Sequence, residues 1–104
     1  MKAMLLGTYT PEALKGLMGG SDRKASVEAL LSQVGGSLES IMFTRGPYDV
    51  VVIAEFPDST SLVGAATALK AGGSFSQTAY LEVIDLPSVI KTAKKAAGAY
   101  TPAS

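Results

Sequence analysis

Four segments of the chain have the short apolar or alternating pattern that predicts β-strands. These predicted strands cover residues 3–8, 37–44, 50–56 and 75–83. The third segment is β-branched from Val50 to Ile53, which is typical of a central strand. Residues 45–49, between the second and third segments, contain Gly46 and Pro47, so we expect a turn that joins those two strands as a hairpin.

Apolar residues at helical spacing occupy the segments between the predicted strands. In the first crossover, Thr10 caps a short helix, and Ser21 or Asp22 caps a second, longer one. Residues 57–59 cap a further helix, and a last helix opens at residues 86–88. Glycine pairs end three of these helices, at residues 19–20, 35–36 and 72–73.

The predicted strands carry apolar residues on both sides. These residues are Ile41, Met42, Phe43, Val51, Ile53 and Leu81. In the second strand, we predict Leu38 and Met42 on one face and Ile41 and Phe43 on the other. A large apolar sheet face in water promotes aggregation unless something covers it, so we expect a second copy of the chain there. The alternative is a monomer in which the terminal helix folds back over that face.

The predicted elements follow the order β-α-β-β-α-β, with one extra helix at the C-terminal end. This order predicts an α+β fold of the ferredoxin-like type, in which two helices cover one face of a four-stranded antiparallel sheet. At 104 residues, the chain suits one domain. We assign that domain to residues 1–98 and expect residues 99–104 to form a flexible tail.

Charge and residue usage exclude several classes of function. Nine basic and nine acidic residues cancel, and most are interspersed, so the chain lacks the basic patch of a nucleic-acid-binding protein. Charged residues make up 17% of the chain, which favours a surface that meets a partner. Without cysteine there are no disulfides or thiolate metal ligands, and no apolar run is long enough to cross a membrane. We therefore expect a soluble, cytoplasmic protein.

Few residue types remain that could perform chemistry. Without histidine, the chain has no imidazole base and no histidine ligand for zinc or haem. Its carboxylates do not follow the spacing of a calcium loop, and its glycine pairs fit no phosphate-binding motif. We therefore expect neither a bound metal nor a cofactor.

The best local cluster of polar residues surrounds the predicted hairpin turn. Arg45, Tyr48 and Asp49 combine a cation, a hydroxyl and a carboxylate that could orient or deprotonate a small ligand. We expect Tyr9 and Lys15, which follow the first strand, near them. A structural interpretation competes, because Asp49 can accept backbone N–H bonds and Tyr48 can pack against the sheet. The residue types favour the structural role for Asp49 and leave the role of Tyr48 open.

Three stretches of the chain resemble one protein family. The turn Gly46-Pro47-Tyr48-Asp49 is similar to the Gly-x-Tyr-Asp motif that gives the GYD-domain family its name. The stretch that begins Thr10-Pro11-Glu12 resembles the T-P-E-G-L segment that follows the family's first strand. Glu55-Phe56-Pro57-Asp58 resembles its E-x-P-D segment. In order and spacing, the resemblance covers most of residues 5–83.

The resemblance implies a ferredoxin-like domain of the dimeric α/β-barrel type, common in bacteria and without an established reaction. Related barrels include haem enzymes and cofactor-independent monooxygenases, but the absence of histidine argues against haem. We prefer a non-catalytic homo-oligomeric module that binds a small ligand or a protein partner. The alternative is a cofactor-independent enzyme, monooxygenase- or isomerase-like, with a small, partly apolar substrate in a pocket between sheet and helices. For both hypotheses, the candidate residues are Arg45, Tyr48, Asp49, Tyr9 and Lys15.

Overall fold

The computed structural model describes residues 1–103. The strands are β1 (Lys2–Tyr9), β2 (Ser37–Phe43), β3 (Val50–Glu55) and β4 (Phe75–Glu82). The helices are α1 (Pro11–Met18), α2 (Arg23–Gln33), α3 (Ser59–Ala71) and α4 (Leu86–Ala99). Every strand begins and ends within one residue of its predicted bounds.

The four strands form one sheet with β1 and β3 at its centre. The strand order is β2-β3-β1-β4, and all neighbouring strands are antiparallel. Because β1 pairs with both β3 and β4, the first and last strands lie side by side although most of the chain separates them. This is the arrangement of the ferredoxin-like fold, so the predicted fold class is confirmed.

Side-chain caps start the first three helices. Thr10 Oγ1 accepts a hydrogen bond from the N–H of Ala13 at 3.2 Å. Asp22 caps α2 in the same way, and the carboxylate of Asp58 accepts from the N–H of Ser61 at 2.8 Å to cap α3. The backbone N–H of Ser61, and then its side chain, hold the pKa of Asp58 below its usual value. Each cap satisfies a backbone N–H that has no partner within the helix.

The core lies between the sheet and helices α2 and α3. Alternate residues of the two central strands are buried on this face, namely Ala3, Leu5, Val50, Val52 and Ala54. Leu31 of α2 and Leu62 of α3 are the largest side chains that are almost fully buried. Ala65, also buried, keeps α3 close to the sheet because its side chain is small.

The side chains of β2 face differently from the prediction. The register between β2 and β3 shifts between Leu38 and Ser40, where β2 carries an irregularity of the β-bulge kind. Leu38, Ile41 and Phe43 therefore lie on the helix-covered face, opposite buried residues of β3, whereas Met42 lies on the other face. The prediction that Leu38 and Met42 share one face of β2 is wrong. It assumed strict alternation along the strand, and the extra residue of the bulge interrupts that alternation.

A close approach at Gly7 accommodates an aromatic ring on the sheet. An ideal Cβ atom on Gly7 would lie 2.5 Å from Cδ1 of Phe75, so the ring fills the space that a side chain would take. The Phe75 ring stacks on Tyr9, with centroids 5.1 Å apart and planes inclined by 21°. A register shift between Thr8 and Tyr9 brings Phe75 opposite Tyr9 on the helix-covered face.

The second face of the sheet is apolar and open. Met42 and Leu81 lie on it and are 44% and 54% exposed. Every residue of α4 is exposed, and the molecule is 57 Å long, because α4 projects from the domain. The alternative of a terminal helix that folds back over this face therefore does not describe the structure.

The C-terminal end departs slightly from the prediction. Helix α4 continues through Gly98 to Ala99, and residues 100–103 have no regular secondary structure. Ser104, the last residue of the predicted tail, lies outside the described residues, and the flexibility of that tail stays a prediction. Within residues 1–103, no helix is both long enough and apolar enough to cross a membrane.

We expect Gly7→Ala to lower the free energy of unfolding by about 1–3 kcal/mol, because the new methyl group has to displace the Phe75 ring. Gly64→Ala is the matched control, since Gly64 lies inside α3 and a Cβ there meets no described atom within 4 Å. The control should gain about 0.5–1 kcal/mol from the helix preference of alanine. Denaturant unfolding measures both changes, and an unchanged stability of Gly7→Ala would contradict the close packing.

Candidate functional site

The candidate residues Arg45, Tyr48 and Asp49 lie in the turn between β2 and β3, as predicted. Thr44 closes this turn with two bonds: its N–H donates to the Asp49 carbonyl at 2.8 Å, and its hydroxyl donates to the Tyr48 carbonyl at 2.6 Å. Gly46 has a φ of 145°, a conformation that favours glycine. The turn is therefore held in shape by its own residues.

Asp49 joins this turn to the end of β1. Its backbone N–H donates to the Gly7 carbonyl at 2.8 Å, and its carboxylate accepts from the N–H of Tyr9 at 2.9 Å. The carboxylate thus continues the ladder beyond the last backbone pair, Gly7 with Val50. Hydrogen bonds to an ionised acceptor are stronger than those between neutral groups. These contacts support the structural interpretation of Asp49, although the N–H comes from the neighbouring strand and not from the turn.

The other candidates lie in different surroundings. Tyr48 is half-buried, and the side-chain amide of Gln77 in β4 lies 3.4 Å from its hydroxyl. Arg45 is exposed in the turn, and Lys15 is exposed on α1. Their role in ligand binding stays a prediction.

Tyr9 has the most enclosed environment of the five candidates. Its side chain is 6% exposed and stacks on Phe75. Burial raises the pKa of the Tyr9 hydroxyl; the Arg23 guanidinium lowers that pKa, and the Asp49 carboxylate raises it. The net change in pKa is upward, so the hydroxyl stays protonated at neutral pH and is a poor general base.

An apolar cavity of about 460 Å³ opens beside Tyr9, between α3 and the helix-covered face of the sheet. Its apolar walls include Leu5, Tyr9, Val27, Val63, Leu69 and Phe75. The lining residues with polar side-chain atoms are Lys70, Thr67, Thr78, Tyr80 and Tyr9. Tyr9 is thus the candidate that lines the cavity; the other four lie elsewhere in the described chain.

Most of the cavity residues were missed by the sequence analysis. Thr78 and Tyr80 alternate along β4 and lie on the helix-covered face, opposite Gly7 and Leu5. In the sequence, the same two residues read as interruptions of an apolar strand, because nothing local marks their face as the wall of a cavity. Lys70 has no local signal beyond its place near the end of a helix.

Other polar groups do not form a second candidate site. Arg23 lines a neighbouring cavity of about 190 Å³, and its Nη2 donates to Ser26 Oγ at 3.1 Å. Its buried Nε atom has no hydrogen-bond partner among the described residues. That cavity is smaller than usual for a ligand pocket. Across residues 1–103, no three acidic side chains come together as a possible metal site.

The fold and the cavity define a small ferredoxin-like α+β domain with a preformed apolar pocket. The GYD domain model matches residues 4–97, which is most of the chain. The protein therefore belongs to the GYD domain family, as its three motif stretches predict. Among curated proteins, none matches the chain significantly.

One solved structure has a similar fold. The structure described as "crystal structure of FFRP-DM1" matches with a TM-score of 0.54 at 17% sequence identity. The match covers 80% of this chain and 97% of the other. At this identity, the similarity concerns the fold alone.

Asp49→Ala should lower the free energy of unfolding by about 1.5–3 kcal/mol, because the N–H of Tyr9 loses a charged acceptor. Asp49→Asn keeps an oxygen acceptor and should cost less. Glu28→Ala, which removes an exposed carboxylate from α2, is the control and should change stability by no more than about 1 kcal/mol.

Amide hydrogen exchange gives a second measurement of the same interaction. The amide of Tyr9 should exchange faster in Asp49→Ala than in the wild type, while amides in the middle of α3 change less. Unchanged protection of the Tyr9 amide in a folded Asp49→Ala variant would show that the carboxylate does not hold the end of β1.

Proposed function

We propose that the protein is a cytoplasmic, homo-oligomeric module that binds a small ligand without transforming it. The observation that carries the ligand-binding part is the cavity beside Tyr9. Its volume of about 460 Å³ falls within the range of roughly 300–1,000 Å³ that is usual for small-molecule pockets. Its mainly hydrophobic and aromatic lining, with a few polar groups, also has the composition of such pockets. Without cysteine, the sequence carries no disulfide that would point to an oxidising compartment, so the cytoplasm is the default.

The cavity is built from side chains that the fold already holds in place. The Asp49 carboxylate fixes the backbone of Tyr9, and Gly7 provides the space in which the Phe75 ring lies. A pocket that is formed before the ligand arrives does not have to be ordered on binding, which favours affinity.

The enzymatic alternative receives less support. A cofactor-independent enzyme needs an acid, a base or a nucleophile beside its substrate. Arg45, Tyr48 and Asp49 lie at the hairpin turn, and Asp49 is occupied by backbone hydrogen bonds. Tyr9 does line the cavity, but its raised pKa makes its hydroxyl a poor base.

A ligand found in a thermal-shift screen of water-soluble metabolites should lose its effect in Ala66→Leu, because the larger side chain fills part of the cavity. Ala71→Leu is the matched control on the same helix, since Ala71 is exposed and outside the cavity. At a hundred times its Kd, a ligand stabilises the wild type by about 2.7 kcal/mol, which is readily measured. A hit that stabilises both variants and the wild type equally would place the ligand elsewhere.

The homo-oligomeric part of the proposal rests on the open face of the sheet. Met42 and Leu81 leave about half of their surface in water on that face. The exposed α4 adds apolar residues at helical spacing, including Leu86, Val89 and Ile90, which are 58%, 43% and 44% exposed. A second copy of the chain offers matching apolar surfaces, so we expect at least a homodimer that covers the open face.

Leu81→Lys should weaken the homodimer by at least about tenfold, because it inserts a charge into an apolar interface. Leu14→Lys is the matched control: Leu14 is similarly exposed, at 45% against 54%, but lies on α1. Light scattering on size-separated protein at micromolar concentration measures the mass. A wild-type monomer at that concentration would overturn the proposed assembly.

A further inference from the structure

Among residues 1–103, one charged residue lines the cavity beside Tyr9. It is Lys70 of α3, which is exposed; no acidic residue lines the cavity. The ion pairs among the described residues involve the N-terminus, Lys2 and Lys24, and Lys70 takes part in none of them. The ammonium group of Lys70 is therefore not neutralised by a neighbouring acid.

Two hydroxyl-bearing residues of β4 also line the same cavity. Thr67 already donates its hydroxyl proton to the Val63 carbonyl at 2.7 Å. Thr78 and Tyr80 lie on the cavity side of β4, and among the described residues their hydroxyls have no hydrogen-bond partner. A hydroxyl donates well to an anionic oxygen, and an ammonium group can only donate. The polar groups of the cavity therefore suit an acceptor that carries negative charge.

We propose that the ligand is a free, small monocarboxylate whose apolar body fills the cavity while its carboxylate meets Lys70, with Thr78 and Tyr80 as further donors. This inference rests on the proposed ligand-binding function and adds the chemical class of the ligand. Val63, Leu69 and Phe75 surround the apolar body and provide no polar side-chain atoms. A ligand with a cationic head would meet Lys70 without any acid to balance the repulsion.

Binding of octanoate, octanamide and octylamine tests the charge directly, because the three probes share an apolar chain and differ in the head group. Isothermal calorimetry gives the affinities, and NMR chemical-shift changes locate the probe. Octanoate should bind about fivefold more tightly than octanamide, and octylamine most weakly. Hexanoate should bind at the same site as octanoate, and its affinity should be lower by about fourfold for each methylene group that it lacks.

Lys70→Gln should lower the affinity for octanoate about fivefold and leave that for octanamide unchanged, whereas Lys70→Arg should keep most of the preference for the anion. Lys24→Gln, on α2 and outside the cavity, is the matched control and should bind octanoate like the wild type. Lys70 also lies in the last turn of α3, where a cation complements the helix dipole. If that were its whole role, Lys70→Gln would change the melting temperature and not the ratio of the two affinities.

The outcomes separate this inference from the function on which it rests. Equal binding of octanoate and octanamide at the cavity, or an unchanged ratio in Lys70→Gln, would overturn the monocarboxylate and leave a ligand-binding module. Absence of binding at the cavity by all three probes and by every metabolite in the screen would overturn both. Tighter binding of octanoate that Lys70→Gln abolishes would support the assignment.

Discussion

The hydrogen bond from the N–H of Tyr9 to the Asp49 carboxylate fixes the end of the central strand β1. Backbone pairing between β1 and β3 ends at Gly7 and Val50, so an N–H two residues further on needs another acceptor. Leaving such a group unsatisfied costs about 1–3 kcal/mol where it is buried. With the carboxylate in place, the backbone of Tyr9 stays in line with the sheet, and Thr10 can begin α1 immediately afterwards.

The same strand end determines the shape of the cavity. Gly7 leaves room for the Phe75 ring, and the stack of Phe75 on Tyr9 forms one wall. The helix α3 forms another wall and can approach the sheet closely because small residues such as Ala65 and Ala66 face it. The pocket is therefore a consequence of residue size at a few positions, and it needs no special loop.

The sequence could predict the features that depend on neighbouring residues, and it could not predict those that depend on contacts between distant segments. Caps such as Thr10 and Asp58 act within three residues, so the helix starts were predictable. The faces of β2 and the position of Phe75 depend on register shifts between strands, and alternation along one strand does not contain that information. The cavity is harder still, because Lys70 and Tyr80 come from different elements and meet at a space that exists only after the sheet and α3 pack.

The two faces of the sheet give the proposed activities different places in one small domain. Successive residues of β4 point to opposite sides, so Tyr80 lines the cavity while Leu81 lies on the open face where a second copy is proposed to pack. The ligand and the second copy would then occupy opposite faces of the sheet and would not compete for the same surface. Both would nevertheless restrict the motion of the edge strand β4. Any free-energy coupling between them is reciprocal: a ligand that strengthens the assembly must itself bind the assembly more tightly than the monomer. β4 supplies the physical connection, because it is an edge strand of the sheet and its successive residues face the cavity and the open face.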